Sequence, residues 1–167
     1  MSLHNKKVIW ADDEINLLKA HVLFLEDKGY DVSTASSGEE AYELFKNEKY
    51  DIVLLDEMMA GMDGIETLKK IKEINPTIPV VMITKNEEEW LMDEAIASQI
   101  SDYLIKPVHP RQVFLSCKKN ISSNQIKEDK IIKAFIDNYK IIKERITLVK
   151  TIEDWFDAIN EIIEWEI

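Results

Sequence analysis

The sequence predicts an α/β fold built on a parallel sheet with helices on both faces, followed by a helical extension. Two patterns carry that prediction. From Lys7 to about Ile121, short β-rich runs alternate with stretches of helical periodicity, which is the order of a parallel sheet joined by crossover helices. Two of the runs, IVLLD at 52–56 and VVMI at 80–83, are apolar rather than alternating up to their ends, as strands buried on both faces must be. With 167 residues and 46% hydrophobic content, the chain can bury one dominant core plus a small appendage, but not two full-sized domains.

The first strand is expected over Lys7–Ala11. Ile15, Leu18, Val22 and Leu25 follow at steps of three and four, the buried face of a helix that Gly29 should stop. A second strand, Asp31–Ala35, leads to Ser37 and Glu40, spaced as a capping box. The helix behind it presents Ala41, Leu44 and Phe45. The third strand is Ile52–Asp56, and the next helix presents Ile65, Leu68 and Ile71. After the fourth strand, Val80–Ile83, a fourth helix is expected from about Glu87 to Ser98, with Glu87, Glu88 and Glu89 at its positive N-terminal end. The fifth strand is Tyr103–Ile105, and the fifth helix runs from Pro110 in its first turn to about Asn120.

Beyond Ser122, Ser123 and Asn124 the alternation ends. Ile132, Phe135, Tyr139, Ile142, Ile146 and Val149 are spaced 3, 4, 3, 4, 3, the seam of a helix that pairs with another helix. A second helix, capped near Thr151, is expected to carry Ile152, Trp155, Phe156, Ile159 and Ile163. The chain thus divides into 5–121 and a helical extension, 122–167, which is either an appendage or the start of a longer output region. Two helices cannot close a core alone, so the extension should pack on the first domain or pair with a second copy.

Composition excludes several classes of function. A balance of 21 basic against 32 acidic residues, a net charge of −11, repels nucleic-acid backbones and anionic lipid. The tail, with seven basic and ten acidic residues, is acidic too, which argues against a DNA-binding output. One cysteine, Cys117, permits no intrachain disulfide, and no apolar stretch approaches the roughly 20 residues of a membrane span. The expectation is a cytoplasmic protein with no nucleic-acid or membrane partner. His4, His21 and His109 are too scattered for a metal site.

Chemistry concentrates at strand ends. Asp12 and Asp13 follow the first strand and Asp56 ends the third. In a parallel sheet these ends open on one edge, where ligands of α/β folds bind. Carboxylates gathered there repel one another unless a cation sits among them, and a hard, oxygen-seeking ion such as Mg²⁺ fits. Lys106, before Pro107, brings an ammonium to the same rim, and Thr84 a hydroxyl.

In the order acid pair, acid, hydroxyl and lysine, the segments VIWADDE, IVLLDEMMAGMDG, VVMITK and DYLIKP resemble the receiver domain of two-component response regulators. The resemblance covers residues 5–121 and implies a flavodoxin-like, CheY-like (βα)5 sheet in strand order 2-1-3-4-5. It implies that Asp56 is the phosphoacceptor, taking a phosphoryl group from a sensor histidine kinase. Asp12, Asp13, Asp56 and the backbone carbonyl of Met58 would hold Mg²⁺, with Mn²⁺ or Ca²⁺ as substitutes. Thr84, Lys106 and the switch aromatic Tyr103 would bind the phosphoryl group and pass the change to the face formed by the fourth helix, fifth strand and fifth helix. Apart from its own phosphorylation and dephosphorylation, the domain would be no enzyme. A homodimer through the receiver face or the tail is expected.

The chain departs from the family pattern at Ala60, where proline is usual, at Gln99 and Ile100, and at Val108. Lys85 stands after the switch hydroxyl, where a small residue is usual, so Lys85 and Asn86 are expected to modulate access to Asp56. The same lysine and the isoleucine-rich tail resemble receivers fused to an alkaline-phosphatase-superfamily effector of the PglZ type, which makes a regulatory fragment of a larger phosphatase or phosphodiesterase the alternative reading. A haloacid-dehalogenase-like phosphatase would carry an aspartate two residues after its nucleophile, where this chain has Met58.

Overall fold

The computed structural model describes residues 5–85 and 99–164, with the side chains of 158 and 160–164 excepted. Five parallel strands form one sheet in the order β2-β1-β3-β4-β5. They are β1 (Lys6–Ala11), β2 (Tyr30–Ala35), β3 (Ile52–Asp56), β4 (Val80–Thr84) and β5 (Asp102–Ile105). The expected strands are all present, each within one residue of its expected bounds. Helices α1 (Lys19–Asp27), α2 (Gly38–Asn47) and α3 (Gly64–Ile74) connect them, with a 3₁₀ turn at Ile15–Leu18 ahead of α1.

The period-two alternation of β3 divides the core. Val53 and Leu55 pack with Ala41 and Phe45 of α2 and Leu68 and Ile71 of α3. Ile52 and Leu54 face the other way, toward Leu25 of α1 and toward Val113, Cys117 and Ile121 of the C-terminal helix. Every residue of β3 and β4 is buried. That is why these runs read as continuously apolar: each face of the sheet has its own layer of helix against it.

The helix ends have local causes. Lys28 follows α1 and Gly29 takes φ +85°, a left-handed turn that glycine adopts at no steric cost. At α2 the Ser37 hydroxyl accepts from the Glu40 N–H, while the Glu40 carboxylate accepts from the N–H of Ser36 rather than from that of Ser37. The expected capping box therefore closes one residue upstream. Asp63, which the sequence reading passed over, caps α3 by accepting from the Glu66 N–H at 2.8 Å.

The tail differs from expectation. A single helix, α4, runs from Pro110 to Glu164, with no break at 122–124 and no new start at Thr151. The sequence between 111 and 164 contains neither glycine nor proline, so nothing forces an interruption. Thr151 does not cap: its hydroxyl donates to the Thr147 carbonyl four residues back, inside the helix. The chain divides into two compact units, 1–124 and 125–167. The fourth helix expected at about 87–98, with its acidic start, lies outside the described residues, as do His4 and Asn86.

Candidate functional site

Register brings the site together. Ala11 is level with Leu55, Asp56 with Ile83, and Thr84 with Ile105. The hydrogen-bond ladder continues one residue past three of the strands: Asp12 N–H to the Ala35 carbonyl, Glu57 N–H to Ile83, and Lys106 N–H to Thr84. Asp12, Asp56, Thr84 and Lys106 thereby stand in nearly one row at the carboxyl edge, each held by backbone before its side chain makes any contact.

The side chains then converge. One carboxylate oxygen from each of Asp12, Asp13 and Asp56 lies within 4.8 Å of the others. The Lys106 ammonium donates to Asp12 Oδ2 at 2.9 Å and to Asp56 Oδ2 at 2.8 Å. Asp12 is fully buried, and its Oδ1 accepts from the Glu14 N–H at 2.8 Å, an Asx turn that fixes the carboxylate as the chain leaves β1. Asp13 is exposed, so the cluster has one open side.

Two opposing effects set the charges. Burial raises the pKa of Asp56 above the ordinary carboxylate value, Asp12 adds to the rise, and the bond to Lys106 opposes it. For Lys106 burial acts to lower the pKa, but the bonds to Asp56 and Asp12 outweigh it and the ammonium is held more firmly than in water. Three carboxylates and one ammonium leave an excess of negative charge in a pocket of hard oxygen donors, and a small divalent cation matches that donor set.

The loop after β3, 57–63, is held at both ends. A Cβ on Gly64 would lie 2.2 Å from the Asp56 carbonyl, so only glycine lets α3 start this close to β3. The Glu39 carboxylate on α2 accepts from the Met62 N–H at 2.9 Å. The Met58 side chain is exposed, and Ala60, in place of the family's usual proline, is exposed too.

Thr84 is fully buried, and its hydroxyl donates to Glu57 Oε2. Glu57 and Glu39 were missed by sequence reasoning: one is an acid beside a more conspicuous acid, the other sits 23 residues from the amide it holds. Tyr103, at the centre of β5 and level with Met82, is partly exposed. Lys85 is exposed and lines a cavity of about 480 Å³ with Asp12, Glu14, His21, Lys106 and Val108. His21 is not idle there: its Nε2 lies 2.9 Å from the Val108 carbonyl, tying α1 to the loop after Lys106. Among the described residues, no helix is long and apolar enough to cross a membrane.

Comparison with known proteins agrees with this geometry. The chain matches the response regulator receiver domain over residues 8–118. It is 36% identical over 124 residues to the alkaline phosphatase synthesis transcriptional regulatory protein PhoP of Bacillus subtilis, covering 73% of this chain and 51% of that protein. The chain thus spans about half the length of the curated relatives it matches. Among solved structures, a receiver domain protein from Clostridium thermocellum superposes with a TM-score of 0.64 at 28% identity, over 72% of this chain and 98% of that one. The response regulator TrrA of Thermotoga maritima, in complex with Mg²⁺–BeF, superposes with a TM-score of 0.62 at 27% identity, over 69% of this chain and 98% of its own. A sheet in this order, an acid cluster at its carboxyl edge and a family match across most of the chain lead to one conclusion: the protein belongs to the response regulator receiver family.

Proposed function

We propose that Asp56 accepts a phosphoryl group from the phosphohistidine of a sensor histidine kinase and that the protein is a cytoplasmic phosphorylation switch. The observation that carries this reading is the Lys106 ammonium within 2.9 Å of both Asp12 and Asp56, beside three clustered carboxylates.

In this reading an oxygen of the Asp56 carboxylate forms the new bond to phosphorus as the phosphorus–nitrogen bond to the donor breaks, and the imidazole leaves with that electron pair. No general base is needed, because the nucleophile is an anion. Lys106 stays in place to neutralise a phosphoryl oxygen, and the fixed Asp12 carboxylate keeps that ammonium aimed. Asp12, Asp13, Asp56 and the Met58 carbonyl are the groups to hold Mg²⁺, with Mn²⁺ or Ca²⁺ as substitutes. The bound ion supplies charge neutralisation of the transferring phosphoryl oxygens.

The added charge on Asp56 draws the Thr84 hydroxyl from Glu57 toward the phosphoryl oxygens, and Tyr103 turns with it. Lys85, on the wall of the adjoining cavity, and Asn86 after it modulate access to Asp56. The lysine after Thr84 and the isoleucine-rich tail support a downstream effector of the PglZ type, which the native open reading frame would reveal.

Incubation with Mg²⁺ and acetyl phosphate is expected to raise the mass by one phosphoryl group, and Asp56→Asn is expected to take none. An unmodified wild-type chain, or an Asn variant that is still phosphorylated, would remove the assignment.

A further inference from the structure

The second compact unit, 125–167, is described as one helix as far as Glu164, and it leaves large apolar side chains uncovered. Phe135, Tyr139, Ile142, Ile146, Val149, Ile152 and Trp155 are all about half exposed or more. A lone helix with such a stripe is not stable in water by propensity alone and calls for a partner. The sequence of the stripe states which partner.

Tyr139, Ile142, Ile146 and Val149 step 3, 4, 3 along the helix, and Ile152, Trp155, Ile159 and Ile162 step 3, 4, 3 again. The two halves mirror each other about the bond between Lys150 and Thr151. Reversing the chain direction about that point places Tyr139 on Ile162, Ile142 on Ile159, Ile146 on Trp155 and Val149 on Ile152. An apolar stripe that maps onto itself under reversal is self-complementary for a second copy running the opposite way, with a two-fold axis at 150–151.

Charge divides at the same point. Residues 140–150 carry Lys140, Lys143, Arg145 and Lys150 against the single acid Glu144, whereas 151–162 carry Glu153, Asp154, Asp157 and Glu161 and no base. Antiparallel pairing sets the basic half of each copy against the acidic half of the other, twice over. Parallel pairing sets like on like: in the heptad frame of the 139–149 seam, Arg145 at g would meet Lys150 at e of the second copy, a repulsive contact. Folding the tail back on itself would require a turn near 150, where the helix is continuous and neither glycine nor proline occurs. The consecutive three-residue steps from 146 to 155 wind the stripe around the helix and overwind the pair locally.

We propose that the helical extension binds a second copy of this chain in antiparallel register, centred between Lys150 and Thr151. The pairing is independent of the chemistry at Asp56, so its test is run without any phosphoryl donor.

The test uses the 167-residue chain. Sedimentation equilibrium at tens of micromolar should give a dimer, and a monomer overturns the proposal. In a Cys117→Ser background, Ile142→Cys and Ile159→Cys variants are mixed and oxidised. Disulfide-linked 142–159 pairs are expected, whereas 142–142 pairs would show parallel pairing and overturn it. A pair of charge reversals adds an arm that leaves the core untouched. Arg145→Glu with Lys150→Glu, or Glu153→Lys with Asp154→Lys, should each weaken self-association by roughly tenfold, and mixing the two should restore it as a heterodimer. Circular dichroism confirms that each variant keeps its helix. Reversals that leave association unchanged, or a mixture that fails to restore it, would show that the charged halves do not face each other.

Discussion

Asp56 is an anion placed where the fold would prefer a neutral group, because burial and the Asp12 carboxylate outweigh the help from Lys106 and its pKa rises. The sign of the consequence follows from that rise. Below the unfolded-state pKa there is no cost, and the cost grows as pH climbs from there through the raised folded-state value. Asp56→Asn, which leaves Lys106 its bond to Asp12, should therefore stabilise the metal-free protein at pH 7 and raise its Tm. Calorimetry at pH 7 and again in acid checks both parts: the gain should shrink in acid, and a variant less stable at pH 7 would contradict the balance argued here. Cys117 makes the opposite case, a group that burial keeps neutral. Fully enclosed, with its pKa pushed up to about 12, it should resist iodoacetamide in the native state and react once the chain is unfolded. Rapid labelling of native protein would mean that the layer between the sheet and α4 is open.

At the scale of elements, the strands were legible because β3 and β4 have helices on both sides, which leaves little room for polar residues before Asp56 and Thr84 at their ends. The acids at 12, 13 and 56 and the lysine at 106 were legible for a related reason: a parallel sheet sends all its carboxyl ends to one edge, so position along the strand stands in for position in space. Glu57 was not legible, since its bond to Thr84 depends on which strands are neighbours and in what register. The end of the fifth helix was misread because serine, asparagine and threonine only weakly disfavour helix, and with no glycine or proline behind them they are carried through it. The cap at Asp63 carries a prediction of its own. Asp63→Ala removes the acceptor for the Glu66 N–H at the start of α3 and should cost about 1 kcal/mol in urea unfolding, with the slope unchanged. A change below a few tenths of that would mean that Gly64 and the packing of Leu68 and Ile71 set the start of α3 unaided.

For the whole molecule, the central strand β3 is enclosed on every side, with strands on both edges, helices over both faces and all five residues buried. Amides in such a position exchange with solvent only when the entire domain opens. Native-state hydrogen exchange should therefore give Val53 through Asp56 an opening free energy equal to that of global denaturation. A markedly lower value would reveal a partial opening that frees the strand. Asp56 is thereby anchored in a strand expected to come apart last. Warming short of the melting transition should leave the alignment of Asp56 intact, and the proposed capacity to accept a phosphoryl group should vanish together with the fold instead of fading ahead of it.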